Sequence, residues 1–288
     1  MPQPMPLEEA ILLGVIQGLT EFLPISSTAH LVVARKWMGH ENPKDALTTV
    51  IQLGTLIAVL IYFARDIVRL TLAVLRDVPR LKLGSSAESK LAWLIVLGTF
   101  PVVVVGFVLK NWIKEHFYDI PTMGAVAILF ALLMLASEVW TAIRKIDLGK
   151  ADLVESEITI REAMWVGFWQ CLALMPGASR SGTTITAGLF AGLSRPAAAR
   201  FSFLLSLPAV LGAGLKELYD EGRELLGSGD QALPLIVATV VSAIVGYLSI
   251  AFLLGFLKRY SMGVFVAYRL ILGGAILGLV WAGRLPSS

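Results

Sequence analysis

The feature that most limits what this chain can become is the way its apolar runs are cut. Two of those runs are only about ten residues long, and each is interrupted by a polar island built around a proline. The first island, residues 17–30, reads Q-G-L-T-E-F-L-P-I-S-S-T-A-H and contains Glu21 and His30. The second, residues 170–184, reads Q-C-L-A-L-M-P-G-A-S-R-S-G-T-T and repeats the plan: an apolar run ending at Gln, a proline, then a Ser/Thr cluster. A helix needs roughly twenty apolar residues to cross a bilayer, and a proline breaks the run before that length is reached. Each broken run therefore predicts a hairpin that enters the membrane and returns to its own side.

Six further runs are long enough to span: residues 46–64, 91–112, 121–143, 196–218, 233–257 and 262–282. With 56% hydrophobic residues and a mean hydropathy of +0.76, the 288-residue chain lies outside the range of soluble domains. The pattern predicts an all-α polytopic membrane protein, with six transmembrane helices plus two re-entrant helical hairpins in one integral membrane domain over 1–288. Gly14, Gln17 and Pro24 recur as Gly167, Gln170 and Pro176 to within one residue of spacing, which marks an internal repeat, 8–143 and 161–284. A hairpin followed by three crossings puts the second hairpin on the opposite face. The repeats are then inverted and their tips converge near the midplane.

The net charge of +3 is no sign of nucleic-acid binding; its use is in orientation. The loop from Arg65 to Lys90 (with Arg69, Arg76, Arg80 and Lys82), then Arg144, Lys145, Lys150 and Arg161, then Lys258 and Arg259 fall on one side, read as cytoplasmic. Lys110, Lys114 and an acid-rich loop of Glu217, Asp220, Glu221, Glu224 and Asp230 fall on the other; Arg35, Lys36 and Lys44 count against this assignment. The lone Cys171 excludes an intrachain disulfide and reads as buried filler. The N-terminus lacks a basic n-region, so the first apolar run is expected to stay in the mature protein.

Ionisable groups at membrane depth are costly unless paired or wet, so Glu21, His30 and Arg180 each need a reason. A structural ion pair or hairpin clasp is the plain alternative; together, however, they supply an acid, a base and a cation, a set suited to a phosphate ester. Ser26, Ser27 and Thr28, and Ser179, Ser181, Gly182 and Thr183, sit where the second arms begin. Ordinary N-capping explains any one of them, whereas two helix N-termini aimed into one cavity make an anion site. Gly177 and Gly182 would let the backbone approach. Ser27 and His30 lie three apart, so His30 is placed to take the Ser27 proton. Gln17 and Glu21 share a face, with Gln170 as the counterpart of Gln17; Glu21 suits either proton transfer or a divalent cation completed by substrate oxygens and water. His40 and His116 read as interfacial, Arg195 and Arg200 as snorkelling, and the pairs Gly188/Gly192 and Gly274/Gly278 as helix packing.

At these residues the sequence resembles the bacterial undecaprenyl-diphosphatase family of the bacitracin-resistance type. The likeness rests on residues 17–30 and on P-G-A-S-R-S-G at 176–182, with support at 51–62, and it covers the whole chain. Gln17 stands where the family pattern allows Glu or Gln, leaving Glu21 as the charged member, and Ala29 stands where Gly is common. The resemblance implies an inner-membrane phosphatase acting on a polyprenyl diphosphate lipid, with Glu21, Ser27, His30 and Arg180 as the essential set. It also implies dependence on a divalent cation, magnesium or calcium, and a site opening to the periplasm. The carrier recycled would serve peptidoglycan and other envelope polymers. The competing class is a transporter or lipid flippase, since inverted repeats with broken helices are what transporters use. Whether Ser27, His30 or water attacks, and whether the protein forms a homodimer, stay open at this level.

Overall fold

The computed structural model describes residues 5–39, 46–80, 84–144, 158–227 and 229–285. Lys44, Lys82, Lys145, Lys150 and His40 lie outside them, as do the side chains of Glu217, Asp220, Glu221, Glu224 and Asp230. All regular structure among the described residues is helical. The order is α1 (Leu7–Phe22), α2 (Ser27–Trp37), α3 (Ala46–Tyr62), α4 (Ala64–Asp77), α5 (Ala87–Phe117), α6 (Ile120–Ile143), α7 (Ile160–Leu172), α8 (Arg180–Phe190), α9 (Arg195–Gly227), α10 (Gly229–Leu257) and α11 (Gly263–Trp281). Five helices are long and apolar enough to cross a membrane: Ala87–Phe117, Ile120–Ile143, Arg195–Lys216, Ala232–Leu257 and Gly263–Trp281. The protein is thus a multi-pass membrane protein, all-helical among the described residues. In α3 only the shorter stretch Ile51–Tyr62 is apolar within the described residues.

Local signals set the starts. Thr159 and Glu162 form a reciprocal capping box that begins α7. Ser86 accepts from the Ser89 N–H at the start of α5, and Asp119 does the same for Thr122 in α6, with Pro121 in the first turn, where its missing N–H costs nothing. Pro101, Pro208 and Pro234 lie inside α5, α9 and α10.

Two stretches expected as loops are helical. Arg65, Arg69 and Arg76 belong to α4, whose exposed Val68, Leu72 and Leu75 make it an amphipathic helix of the kind that lies along a membrane surface. The acid-rich stretch after Lys216 is a continuation of α9. Hydropathy alone reads both as polar and is silent about backbone.

The first arm of each hairpin packs along a helix from the other half of the chain, α1 along α10 and α7 along α5. Glycine makes both contacts. A Cβ on Gly14 would stand 2.6 Å from the Ala238 carbonyl oxygen, and one on Gly167 would run into the Gly98 carbonyl. Gly188 packs on Ala198, as its spacing suggested, but Gly274 and Gly278 meet nothing within 4 Å and Gly192 is a turn residue with positive φ. The residue of α11 that lets α6 approach is Gly273, against Gly124 and Ile128. Spacing in the sequence names a stripe without saying which of its neighbours faces the partner.

At one end of the molecule, Arg195 grips Glu138 with Nε at 3.0 Å from both carboxylate oxygens, and Glu138 also accepts from the Met262 backbone N–H at 2.8 Å. Arg200 pairs with Asp66 at 2.7 Å. Neither arginine snorkels as expected; each ties α9 to a neighbour, and together they gather the end of α6 with the starts of α4, α9 and α11 on one side.

Candidate active site

Both hairpins turn in the same unusual way. Ser26 (φ 73°) and Ser179 (φ 66°), the residues just before α2 and α8, are the non-glycine residues with positive φ among those described. An L-residue in that region carries about 1–2 kcal/mol of strain, which persists only where the surroundings over-determine it. The next residue in each hairpin is the first of its helix: Ser27 in α2, Arg180 in α8.

Those two residues meet at Glu21. Its Oε2 accepts from Ser27 Oγ at 2.7 Å and from Gln17 Nε2 at 3.1 Å, while Oε1 accepts from Arg180 Nη2 at 3.3 Å. The pair is largely shielded, with side-chain exposures of 17% for Arg180 and 19% for Glu21. Gln170, the counterpart of Gln17, is buried with neither side-chain atom hydrogen-bonded among the described residues. The reason is visible in the sequence: four residues beyond Gln170 stands Leu174, where the first hairpin has Glu21.

His30 is placed differently from expectation. Its Nδ1 lies 2.7 Å from the Ser26 carbonyl oxygen and its Nε2 lies 2.6 Å from the Tyr268 hydroxyl, whose ring stacks on the imidazole at 9° between planes. A carbonyl only accepts, so Nδ1 carries a proton; in the neutral ring Nε2 is then the acceptor, and the tyrosine donates to it. The Ser27 hydroxyl points to Glu21, so the Ser27–His30 pair read from the spacing of three is replaced by a Ser27–Glu21 pair and a His30–Tyr268 pair.

The remaining predicted residues divide by partner. Ser179 Oγ accepts from the Gly182 N–H at 3.3 Å and lies 3.3 Å from Ser181 Oγ. Thr183 donates to the Ser179 carbonyl at 2.8 Å, which turns its hydroxyl back into the helix. Thr28 is half-buried in the first turn of α2. Gly177 has φ 95°, and a Cβ there would strike the Met123 carbonyl; Gly182 has ordinary van der Waals room. His116 bonds the Trp112 carbonyl on an exposed face.

Arg269 was not anticipated. It is fully buried, and its Nε, Nη1 and Nη2 donate to the carbonyls of Ala127 (3.3 Å), Pro24 (3.3 Å) and Gly177 (2.8 Å). One guanidinium thus holds the tips of both hairpins against α6. Its signal was present in the sequence: an arginine in the middle of the run 262–282 is as conspicuous as Arg180. Tyr268 had none, since a tyrosine within an apolar run is ordinary.

As a chemical assembly, the site offers a carboxylate bonded to a hydroxyl, a guanidinium with further N–H donors, an imidazole of fixed tautomer, and two helix N-termini.

Comparison with known proteins gives a consistent picture. Relatives named undecaprenyl-diphosphatase include those of Chlorobium phaeobacteroides (46% identical over 98% of this chain and 99% of the relative), Prosthecochloris aestuarii (47%, 98% and 100%) and Chlorobaculum tepidum (47%, 98% and 99%). The family described as Bacitracin resistance protein BacA matches residues 10–275. The chain belongs to the bacitracin resistance protein BacA family.

Proposed function

We propose that this protein is an undecaprenyl-diphosphatase. It removes the terminal phosphate of undecaprenyl diphosphate to give undecaprenyl phosphate and inorganic phosphate, recycling the lipid carrier of peptidoglycan synthesis and conferring bacitracin resistance. Relatives of that name align over nearly the whole chain. The observation that carries the chemistry is Glu21, bonded at once to the first helical residues of both hairpins.

Arg180 and the N-termini of α2 and α8 receive the terminal phosphate, a planar fork and two positive helix ends being suited to a multivalent anion. Ser27 Oγ attacks the terminal phosphorus, its proton passes to the Glu21 carboxylate, and the bridging P–O bond breaks to release the lipid monophosphate. Water then attacks the phosphorus of the phosphoserine, the Oγ–P bond breaks to release inorganic phosphate, and Glu21 returns its proton to Ser27 Oγ. His30, held by Tyr268 and the Ser26 carbonyl, moves the proton of that water.

A divalent cation, magnesium or calcium, fits this site only with help from the substrate. No three acidic, His or Cys side chains cluster among the described residues. Glu21 is the one carboxylate, and three of its roughly four lone-pair sites are taken by Gln17, Ser27 and Arg180. One site remains, which suits an ion bound mainly by phosphate oxygens and water. Such an ion would draw charge from the phosphates.

The hairpins are re-entrant, α3 is the sixth span, and the halves 8–143 and 161–284 form an inverted repeat within one domain. The paired Ser26 and Ser179 turns and the cross-packing of α1 and α7 support this. That end lies in the cytoplasm of the bacterial inner membrane and the site opens to the periplasm, a reading supported by the basic residues on α4 and near the ends of α6 and α10.

The test is phosphate release from undecaprenyl diphosphate by detergent-solubilised protein, where no second compartment exists. Release that depends on Glu21 and Arg180 is expected. Absence of release, with lipid movement in vesicles instead, would favour a transporter.

A further inference from the structure

Arg65, Arg69 and Arg76 stand at spacings of four and seven along α4, which places them within about 40° of one another around the helix. Val68, Leu72 and Leu75 are exposed beside them, and the third face, with Leu70 and Asp77, is buried against the protein. Arginines and apolar strip together border a shallow concavity of about 540 Å3, lined by Ala64, Arg65, Val68, Arg69, Leu72 and Arg76. The helix is thus three-sided: packed on one face, apolar on the second, and cationic along the edge of the second. It does not neutralise that edge itself. Its acids are Asp66 and Asp77. Asp66 is held by Arg200 at 2.7 Å, with Arg69 at a longer 3.4 Å, and Asp77 accepts from the Ser85 N–H at 2.8 Å and from the Ser85 hydroxyl. Arg69 also lies in the field of Glu88. Arg65 and Arg76 have no ion pair or hydrogen bond among the described residues.

An amphipathic helix at a membrane surface buries its apolar strip at the boundary between headgroups and acyl chains, which leaves arginines along the edge of that strip at the depth of the phosphates. A guanidinium presents a planar fork that matches a pair of phosphate oxygens. Arg65 and Arg69 are one turn apart, about 6 Å of rise, so both reach one phosphodiester. Arg76 lies about 10 Å further along, beyond a single headgroup.

We propose that α4 is a binding site for acidic phospholipid in the leaflet at the end gathered by Asp66 and Glu138. Arg65 and Arg69 hold the phosphodiester of one lipid, Val68 and Leu72 receive the upper part of its acyl chains, and Arg76 takes the headgroup of a second. Charge complementarity sets the class of lipid. A zwitterionic lipid offers the same phosphate but offsets it with its own ammonium, whereas an acidic one leaves the negative charge for the arginines. The concavity exists only while α4 is folded and tied to α9 through Asp66 and Arg200. Bound lipid therefore stabilises the native protein by mass action.

Thermal unfolding of the full protein in nonionic detergent, with phosphatidylglycerol or phosphatidylcholine added, tests this. Phosphatidylglycerol is expected to raise Tm by roughly 5 °C near saturation, and phosphatidylcholine by less than half as much. Arg65→Gln/Arg76→Gln is expected to remove most of that difference, whereas Lys258→Gln/Arg259→Gln, which deletes two exposed charges near the same end, keeps it. Equal shifts with the two lipids overturn the proposal. So does equal loss in the two double variants, which would mean that overall charge alone attracts the lipid. An equal rise with soluble glycerol phosphate overturns it as well, since the arginines would then take any phosphate ester without a membrane. Should Arg65→Gln/Arg76→Gln fail to fold, the unaltered protein decides: phosphatidylglycerol carrying a photoreactive diazirine near the head of an acyl chain is expected to label residues 64–76, and labelling confined to other segments overturns the site. Turnover is not read in either measurement, so the outcome stands apart from the phosphatase reading.

Discussion

At the scale of single residues, Glu21 is the junction, because one carboxylate serves a hydroxyl, an amide and a guanidinium. Residues that act as a unit are non-additive when removed. Glu21→Gln and Ser27→Ala are each expected to lower kcat by about a hundred- to ten-thousand-fold. The double variant should be little worse than either single, and losses that multiply in steady-state assays would show that the two act separately. Tyr268→Phe keeps the stacked ring and removes only the hydroxyl. A loss of about tenfold in kcat with KM within twofold is expected, roughly the 1.4 kcal/mol that one hydrogen bond contributes; full activity in that variant would leave Tyr268 a packing residue. Glu21, His30 and Arg180 were legible in the sequence because ionisable groups stand out in apolar runs. Their partners were not. His30 finds its hydroxyl 238 positions away, and spacing along one helix says nothing about what another helix presents.

At the scale of elements, the two strained serines invite a direct comparison. Ser26 makes no side-chain cap to α2, so Ser26→Gly relieves the positive φ and loses no cap hydrogen bond. Ser179 accepts from the Gly182 N–H, so Ser179→Gly loses that bond while relieving similar strain. Ser26→Gly is therefore expected to stabilise by up to about 1 kcal/mol and Ser179→Gly by less, judged by thermal unfolding in detergent; the reverse order would mean that φ is not the source of strain. The hairpins were legible as interrupted runs, but the first arm, read as residues 10–19, is the longer helix α1 (Leu7–Phe22). Hydropathy stops at Gln17 and Thr20, whereas the backbone continues until Pro24 removes the N–H needed to extend it.

At the scale of the whole molecule, the ion pairs at Glu138 and Asp66 gather one end of the bundle. With Cys171 replaced by Ser, single cysteines at Asp66 and at Asp119 are expected to react with a membrane-impermeant thiol reagent from opposite sides of oriented vesicles. Labelling of both from one side would refute the proposed topology. Five of the six expected spans were legible as long apolar helices because length and composition suffice to find them, whereas in the run 46–64 only Ile51–Tyr62 is apolar among the described residues. Their neighbours were not, since α1 lies on α10 through Gly14 and Gly18, and a glycine in a sequence does not name its partner. The Arg269 clasp has a consequence in time. Pro24 and Arg269 are separated by 245 positions, and a ribosome adding about 5–20 residues per second needs roughly 12–50 s to cover that distance. Throughout that interval the first hairpin is already made, yet the guanidinium that will join it to its counterpart has not been synthesised. The nascent chain therefore has no assembled centre until α11 emerges, and a ribosome that stalls before then leaves an inserted but incompetent protein.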